Sequence, residues 1–402
     1  MKKVIAVLLI AVLICALSAS LFGCSNEDRS KILKIYMPAD YMDEDLLADF
    51  EAWYQEETGN KVTVQIDTFE AVEDIQRVVE QGKADYDLLC PSDYMVEYLL
   101  KKNLLKKVDK DIIDVEESGL FKEAYLTTSR EFDPTLEYSV PYMYGTLGLV
   151  YDYRKTNAHV NSWDALFGNH SYNVSVKDSM RDAYVAACLY NARGTLTGLT
   201  GQDQKDAVQA VFLDTTDATL RAAKETLTSI TYKWDIDDVK FEMAANQSNV
   251  AVALMWSCDA GYVMNDYEDA NGVMQSGNRN LWYVVPEEGG NVYIDCFVIS
   301  KYAKNTQAAN YFLQFLCEKD TAVANSEYAG AISPVAAAYD ELYEMYELDE
   351  DGMFDGVSSE WKEMFMETMF PSVTTLNRCG VMKDFGSRQS IIARTWEVIH
   401  VK

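Results

Sequence analysis

Between Ile32 and Leu104 the chain alternates apolar runs of strand length with amphipathic stretches of helix length. That alternation restricts the fold more than any other feature of the sequence. ILKIYM (Ile32–Met37) reads as a strand. In DEDLLADFEAWYQEETGN, the residues Leu46, Leu47, Phe50, Trp53 and Tyr54 mark one face at 3–4 spacing, and Gly59 stands where a helix C-cap belongs. KVTVQIDTF supplies a second strand, Glu70 to Gly82 a second helix, YDLLC a third and buried strand, and Met95–Leu104 a third helix. A βαβαβα order of this kind predicts a parallel sheet with helices on both faces.

A second set follows the apolar, glycine-containing stretch GTLGLVYDY, which reads as a crossing. It comprises SWDALFG, a strand near Tyr172–Val176, a helix from about Met180 to Ala192, and further helices between Gln204 and Ala245. The strands VAVALMW, LWYVVP and VYIDCFVIS come next, then a helix from Thr306 to Cys317, the acidic loop ELDEDGMFDG and terminal helices. No internal repeat and no low-complexity linker interrupts this order. The expected architecture is α/β with two lobes, each a sheet flanked by helices, hinged around a cleft. One lobe takes residues 31–147 plus about 294–330, the other 148–293 plus about 331–402.

The start of the chain reads as a leader. Lys2 and Lys3 precede an apolar run from Val4 to Leu17, shorter than the roughly 20 residues a spanning helix needs. Leu21, Gly23 and Cys24 in LFGCSN resemble a lipobox, so 1–23 is expected to be a lipoprotein signal peptide, Cys24 the lipidated residue and 24–30 a tether. Phe22 is bulkier than that motif usually carries; the alternative is a plain secretory signal. The net charge of −29 speaks against nucleic acid as a partner, because phosphate binding needs basic surface. Three scattered histidines and cysteines without close spacing predict no metal site and no cofactor. Beyond Cys24, six cysteines are open either to disulfides or to a role as small buried thiols.

In open α/β sheets, ligands lie off the carboxyl ends of strands. The first strand is followed by Pro38, Asp40 and Tyr41, and the third by Ser92 and Tyr94. The strand near Val176 is followed by KDSMRD with Asp178, Ser179 and Asp182. VAVALM leads into Trp256 and Asp259, and VYIDCF contains Tyr293 and Asp295. None of these turns carries a glycine-rich phosphate loop. Each residue alone has a plain structural role available: a helix cap for Asp40 or Asp182, a half-buried turn for Tyr41 or Tyr94, core packing for Trp256. Asp295 is different, because an unpaired carboxylate inside an apolar strand costs several kcal/mol, about the scale that a cationic partner offsets. Aromatic walls for methylenes and aspartates for ammonium ends together describe a box for an aliphatic amine.

The ordering YMPADY, YDLLCPSDY, YSVPYMYGTLGLVYD, SWDALF, DSMRDA, MWSCDAGYV and PEEGGNVYIDCFVIS resembles the spermidine/putrescine-binding proteins of ABC importers, from about Leu33 to the C-terminus. The resemblance implies a periplasmic-binding-protein-like fold of class II and no enzymatic activity. It implies a polyamine ligand, a permease with its ATPase as partners, a monomer, and an extracytoplasmic place at the membrane through the lipid anchor. Asp40 and Tyr41 match the acid–tyrosine pair after the first strand, and Ser92 and Tyr94 the Ser-x-Tyr after the third. Asp182 matches the acid of an Arg-acid pair, Trp256 the tryptophan wall, Asp295 the acid that grips an amine end, and Tyr293 the aromatic two residues before it. Asp259 resembles an extra acid of putrescine-type members. Pro38 replaces a tryptophan, Ser179 an acid of spermidine-type members, and Ala331 and Met382 fall near a tyrosine and a glutamine of that type. These exchanges favour a diamine over a triamine, with Trp256 walling the methylenes and Asp259 neutralising one amine end. Rival readings are another solute on the same fold (a thiamine-like cation, an amino acid or a sugar) and a cleft glycoside hydrolase with paired carboxylates.

Overall fold

The computed structural model describes residues 28–82, 85–229, 233–235, 238–268, 273–349 and 352–400. The leader, the lipobox with Cys24 and most of the expected tether lie outside these residues.

The strands are β1 (Ile32–Pro38), β2 (Thr63–Phe69), β3 (Leu88–Leu89), β4 (Leu105–Lys106) and β5 (Ser139–Asp152). They continue with β6 (Asn173–Lys177), β7 (Lys233–Asp235), β8 (Val250–Trp256), β9 (Tyr267–Glu268) and β10 (Met274–Gln275). The last are β11 (Leu281–Val284), β12 (Gly290–Ser300) and β13 (Cys379–Gly380). Among the described residues the main sheet runs β2-β1-β3-β12-β5-β8-β6-β7, with β11 on β5 and with β4 and β13 on β12.

Two parallel groups make up the ends of this path. In one, β1 pairs in parallel with β2 and β3; in the other, β6 pairs in parallel with β7 and β8. Between them β5 and β12 run antiparallel to each other, β12 antiparallel to β3 and β5 antiparallel to β8, while β13 adds to β12 in parallel. The chain therefore builds two α/β lobes joined through β5, buried along all of its length, and β12. Helices cover the sheet because their apolar faces have no other place to be buried. In the helix Asp45–Thr58, Leu46, Phe50 and Tyr54 point inward, and Phe50 meets Phe312 edge-on at 4.8 Å. Gly59 ends that helix with a left-handed φ of 72°, a conformation open to glycine at little cost.

All six described cysteines are free thiols. Among the described residues no helix is long and apolar enough to cross a membrane, and no group of three or more His, Cys, Asp or Glu side chains is arranged to hold a metal ion.

Candidate functional site

Asp295 sits where β12 is irregular. Its Cα partner on β5 is Met143, whereas Cys296 pairs with Pro141, so Tyr142 is an extra residue on β5. Proline has no N–H to give to a ladder, and a bulge of this kind turns a side chain out of the regular pleat. The Asp295 carboxylate accepts hydrogen bonds from the Tyr41 hydroxyl at 2.9 Å and the Ser92 hydroxyl at 2.6 Å. Burial raises its pKa, and these two hydroxyl donors partly offset the rise. Among the described residues no lysine or arginine pairs with it. An acid inside an apolar strand was expected to meet a cation; among the described residues this half-buried carboxylate meets two neutral hydroxyls.

The extra residue has a task of its own. The Tyr142 hydroxyl donates to the Tyr41 carbonyl oxygen and accepts from Asn325 Nδ2 at 2.6 Å. The Tyr41 and Tyr142 rings meet edge-on at 5.5 Å. Tyr142 thus fixes the tyrosine that holds Asp295. Its sequence signal was Pro141, one residue before it.

Tyr293, two residues before Asp295, is buried, and its ring lies 6.4 Å from that of Trp256. Its hydroxyl donates to Cys258 Sγ at 3.3 Å. A Cβ on Gly145 would fall 2.3 Å from that hydroxyl and 2.7 Å from Ser257 Oγ, so only glycine on β5 leaves room for the Tyr293 side chain.

Two of the expected aromatic residues, Trp256 and Tyr94, carry a cation of the protein itself on their faces. Lys177, the last residue of β6, holds its Nζ 3.6 Å from the ring centroid of Trp256 and 2.9 Å from Asp259 Oδ2. Lys240 Nζ approaches the other oxygen of Asp259 at 3.0 Å. Burial acts to raise the Asp259 pKa, but the two lysine charges and their hydrogen bonds outweigh it and hold the carboxyl below its ordinary value. Asp259, expected to neutralise an amine end, neutralises lysines here. Tyr94 is covered likewise: the Arg181 guanidinium lies 3.6 Å from its centroid and 4.1 Å from that of Phe385. Arg181 also bridges to Glu73 Oε1 at 3.3 Å and donates to the Lys383 carbonyl at 3.0 Å and Gln389 Oε1 at 2.9 Å.

The remaining expected residues divide. Asp182 is buried in the first turn of the helix Met180–Leu196, and its Oδ2 has no hydrogen-bond partner. Burial pushes its pKa up to about 6, against the pull of the Lys177 charge and the Ser179 hydroxyl. Ser179 caps that helix, accepting from the Asp182 backbone N–H. Asp40 stands apart from the cluster. It occupies the turn after β1 with a left-handed φ of 52°, is exposed, and its charge acts on Tyr328. The tight turn directs Asp40 outward while Tyr41 is hydrogen-bonded to Asp295. Pro38 closes β1 opposite Phe69, and Ala331 and Met382 are core residues. Lys177, Arg181, Glu73 and Tyr142 are the participants that strand-end reading did not single out as site residues.

Comparison with known proteins agrees with this architecture. Residues 46–351 match the model of the bacterial extracellular solute-binding protein family. The putrescine-binding periplasmic protein SpuD of Pseudomonas aeruginosa is 27% identical over 316 residues, covering 76% of this chain and 78% of that protein. The putrescine-binding periplasmic protein PotF of Escherichia coli is 26% identical over 313 residues, 75% of this chain and 77% of that one. Among solved structures, the spermidine/putrescine ABC transporter substrate-binding protein PotD of Streptococcus pneumoniae superposes with a TM-score of 0.65 at 26% identity, covering 92% of this chain and 99% of that one. The family match takes in strands of both lobes and the helices between them, and the chain belongs to the bacterial extracellular solute-binding proteins.

Proposed function

We propose that this protein captures a small aliphatic amine of the polyamine class in the cleft between its lobes and delivers it to an ABC permease, with a putrescine-like diamine favoured over spermidine. The observation that carries this reading is Asp295: a half-buried carboxylate held by two hydroxyls, with aromatic rings close by and, among the described residues, no cation against it. An arriving ammonium offsets the cost of that partly desolvated charge, a gain a neutral sugar cannot offer. Tyr41, Ser92 and Asp295 form the anchoring end in this reading, Trp256 and Tyr293 the wall, and Tyr94, Asp182 and Asp259 the further polar rim. The lobes meet across β5 and β12, with 31–147 and about 294–330 in one and 148–293 and about 331–402 in the other. Cys24 is the proposed lipid anchor on the outer face of the membrane, and the protein acts as a monomer.

Thermal unfolding of the full chain against putrescine, cadaverine, spermidine, spermine, thiamine and a few sugars tests the reading. A ligand at about 100 times its Kd stabilises a fold by about 2.7 kcal/mol, so its melting midpoint rises. The diamines are expected to give the largest rise. A rise with sugars alone, or with none of the amines, contradicts the proposal.

A further inference from the structure

We propose that Lys177 holds the second ammonium position of the cleft with the protein's own amine, and so sets how strongly the cleft discriminates between solutes with one and with two ammonium ends. The inference rests on the amine-capture reading above and adds to it the residue that determines selectivity.

The Lys177 side chain is only 4% exposed, and it makes each contact that a solute's ammonium would make there. Its Nζ lies over the face of Trp256 at 3.6 Å and against Asp259 Oδ2 at 2.9 Å. An ammonium removed from water gains most from a tryptophan face and a carboxylate acting together. The two ends of the site are therefore unlike. Among the described residues Asp295 offers a carboxylate met by hydroxyls and by no cation, whereas Asp259 and Trp256 are already matched with a cation.

Tethering makes the difference consequential. A side chain fixed at the end of a strand competes at a high effective concentration with any free amine. The second ammonium of a diamine must displace Lys177 or forgo both Trp256 and Asp259, while a monoamine seated on Asp295 meets no such competition. Lys240 does not duplicate the role. Its side chain is 20% exposed, and its ring neighbours are Phe241 at 5.3 Å and Tyr262 at 5.9 Å. It lies 3.0 Å from Asp259 Oδ1, so the acid has a cationic partner besides Lys177.

Calorimetric titration of the full chain with putrescine and with butylamine, a monoamine of the same length, tests the inference. Lys177→Met is expected to raise the putrescine-to-butylamine affinity ratio by about tenfold or more. Butylamine binding should stay within about twofold, and Lys177→Arg, which keeps a cation, should keep the wild-type ratio. If the methionine variant does not fold, Lys177→Gln carries the same expectation. An unchanged or lower ratio in the neutral variants overturns the inference and leaves amine capture standing. An equal rise in Lys240→Met overturns it too, since the charge of the pair rather than the place of Lys177 would then govern selectivity. Absence of amine binding in wild type and variants alike overturns amine capture, and the inference with it.

Discussion

Arg181 Nε lies 3.3 Å from Glu73 Oε1, a contact between residues 108 positions apart that joins the helix Glu73–Glu80 to the helix Met180–Leu196. The guanidinium is seated on the Tyr94 and Phe385 rings, so its position is set by packing as well as by charge. The strength of this bridge is bounded by exposure: the Glu73 side chain is 36% exposed.

Pairs of that kind contribute about 0.2–1 kcal/mol. Glu73→Gln should therefore speed putrescine release and weaken binding by no more than about fivefold, with little change in melting midpoint. Stopped-flow release rates and calorimetric Kd values check this. A loss of about thirtyfold or more would show that Glu73 does more than pair with Arg181.

Asp182 makes stability depend on pH in a defined direction. Its carboxyl titrates at about 6 in the folded protein, above the ordinary 3.8, because burial disfavours the charged form. Between these two values the folded state holds more protons than the unfolded state. This group's contribution therefore falls as pH rises through that window and is level above it. The expected size is on the order of 2 kcal/mol. Urea unfolding at pH 4.5 and pH 7 should show wild type losing stability relative to Asp182→Asn on going to the higher pH. Parallel behaviour of the two proteins across that range contradicts the assignment.

The strand and helix order was legible because buried strands and amphipathic helices leave different periodicities in sequence. The strand expected over Ile32–Met37 forms as β1, and the helix expected from Met180 forms and runs on to Leu196. Strand ends were less legible. The apolar run near Tyr172–Val176 stops at Val176, yet β6 continues through Lys177 because that residue pairs in register with Asp235 of β7. One more residue of strand places the lysine beside Trp256, which no local pattern reports. Asp295 stood out as an acid in an apolar strand, but its partners come from Tyr41 and Ser92, 254 and 203 positions away. The same limit applies to Asp259. Its place after Trp256 is visible in the sequence, whereas its neutralisation by Lys177 and Lys240 depends on β6 and β8 lying side by side.

The central claim is that the Asp295 carboxylate is the anchor for a solute's ammonium. Calorimetric titration of putrescine into wild type and Asp295→Asn measures it most directly. The account predicts a loss of affinity of about a hundredfold or more in the variant, the scale on which a buried ammonium loses its carboxylate. The melting midpoint without ligand should not fall, because a desolvated charge has been removed. Putrescine affinity within about threefold of wild type in the folded variant would contradict it.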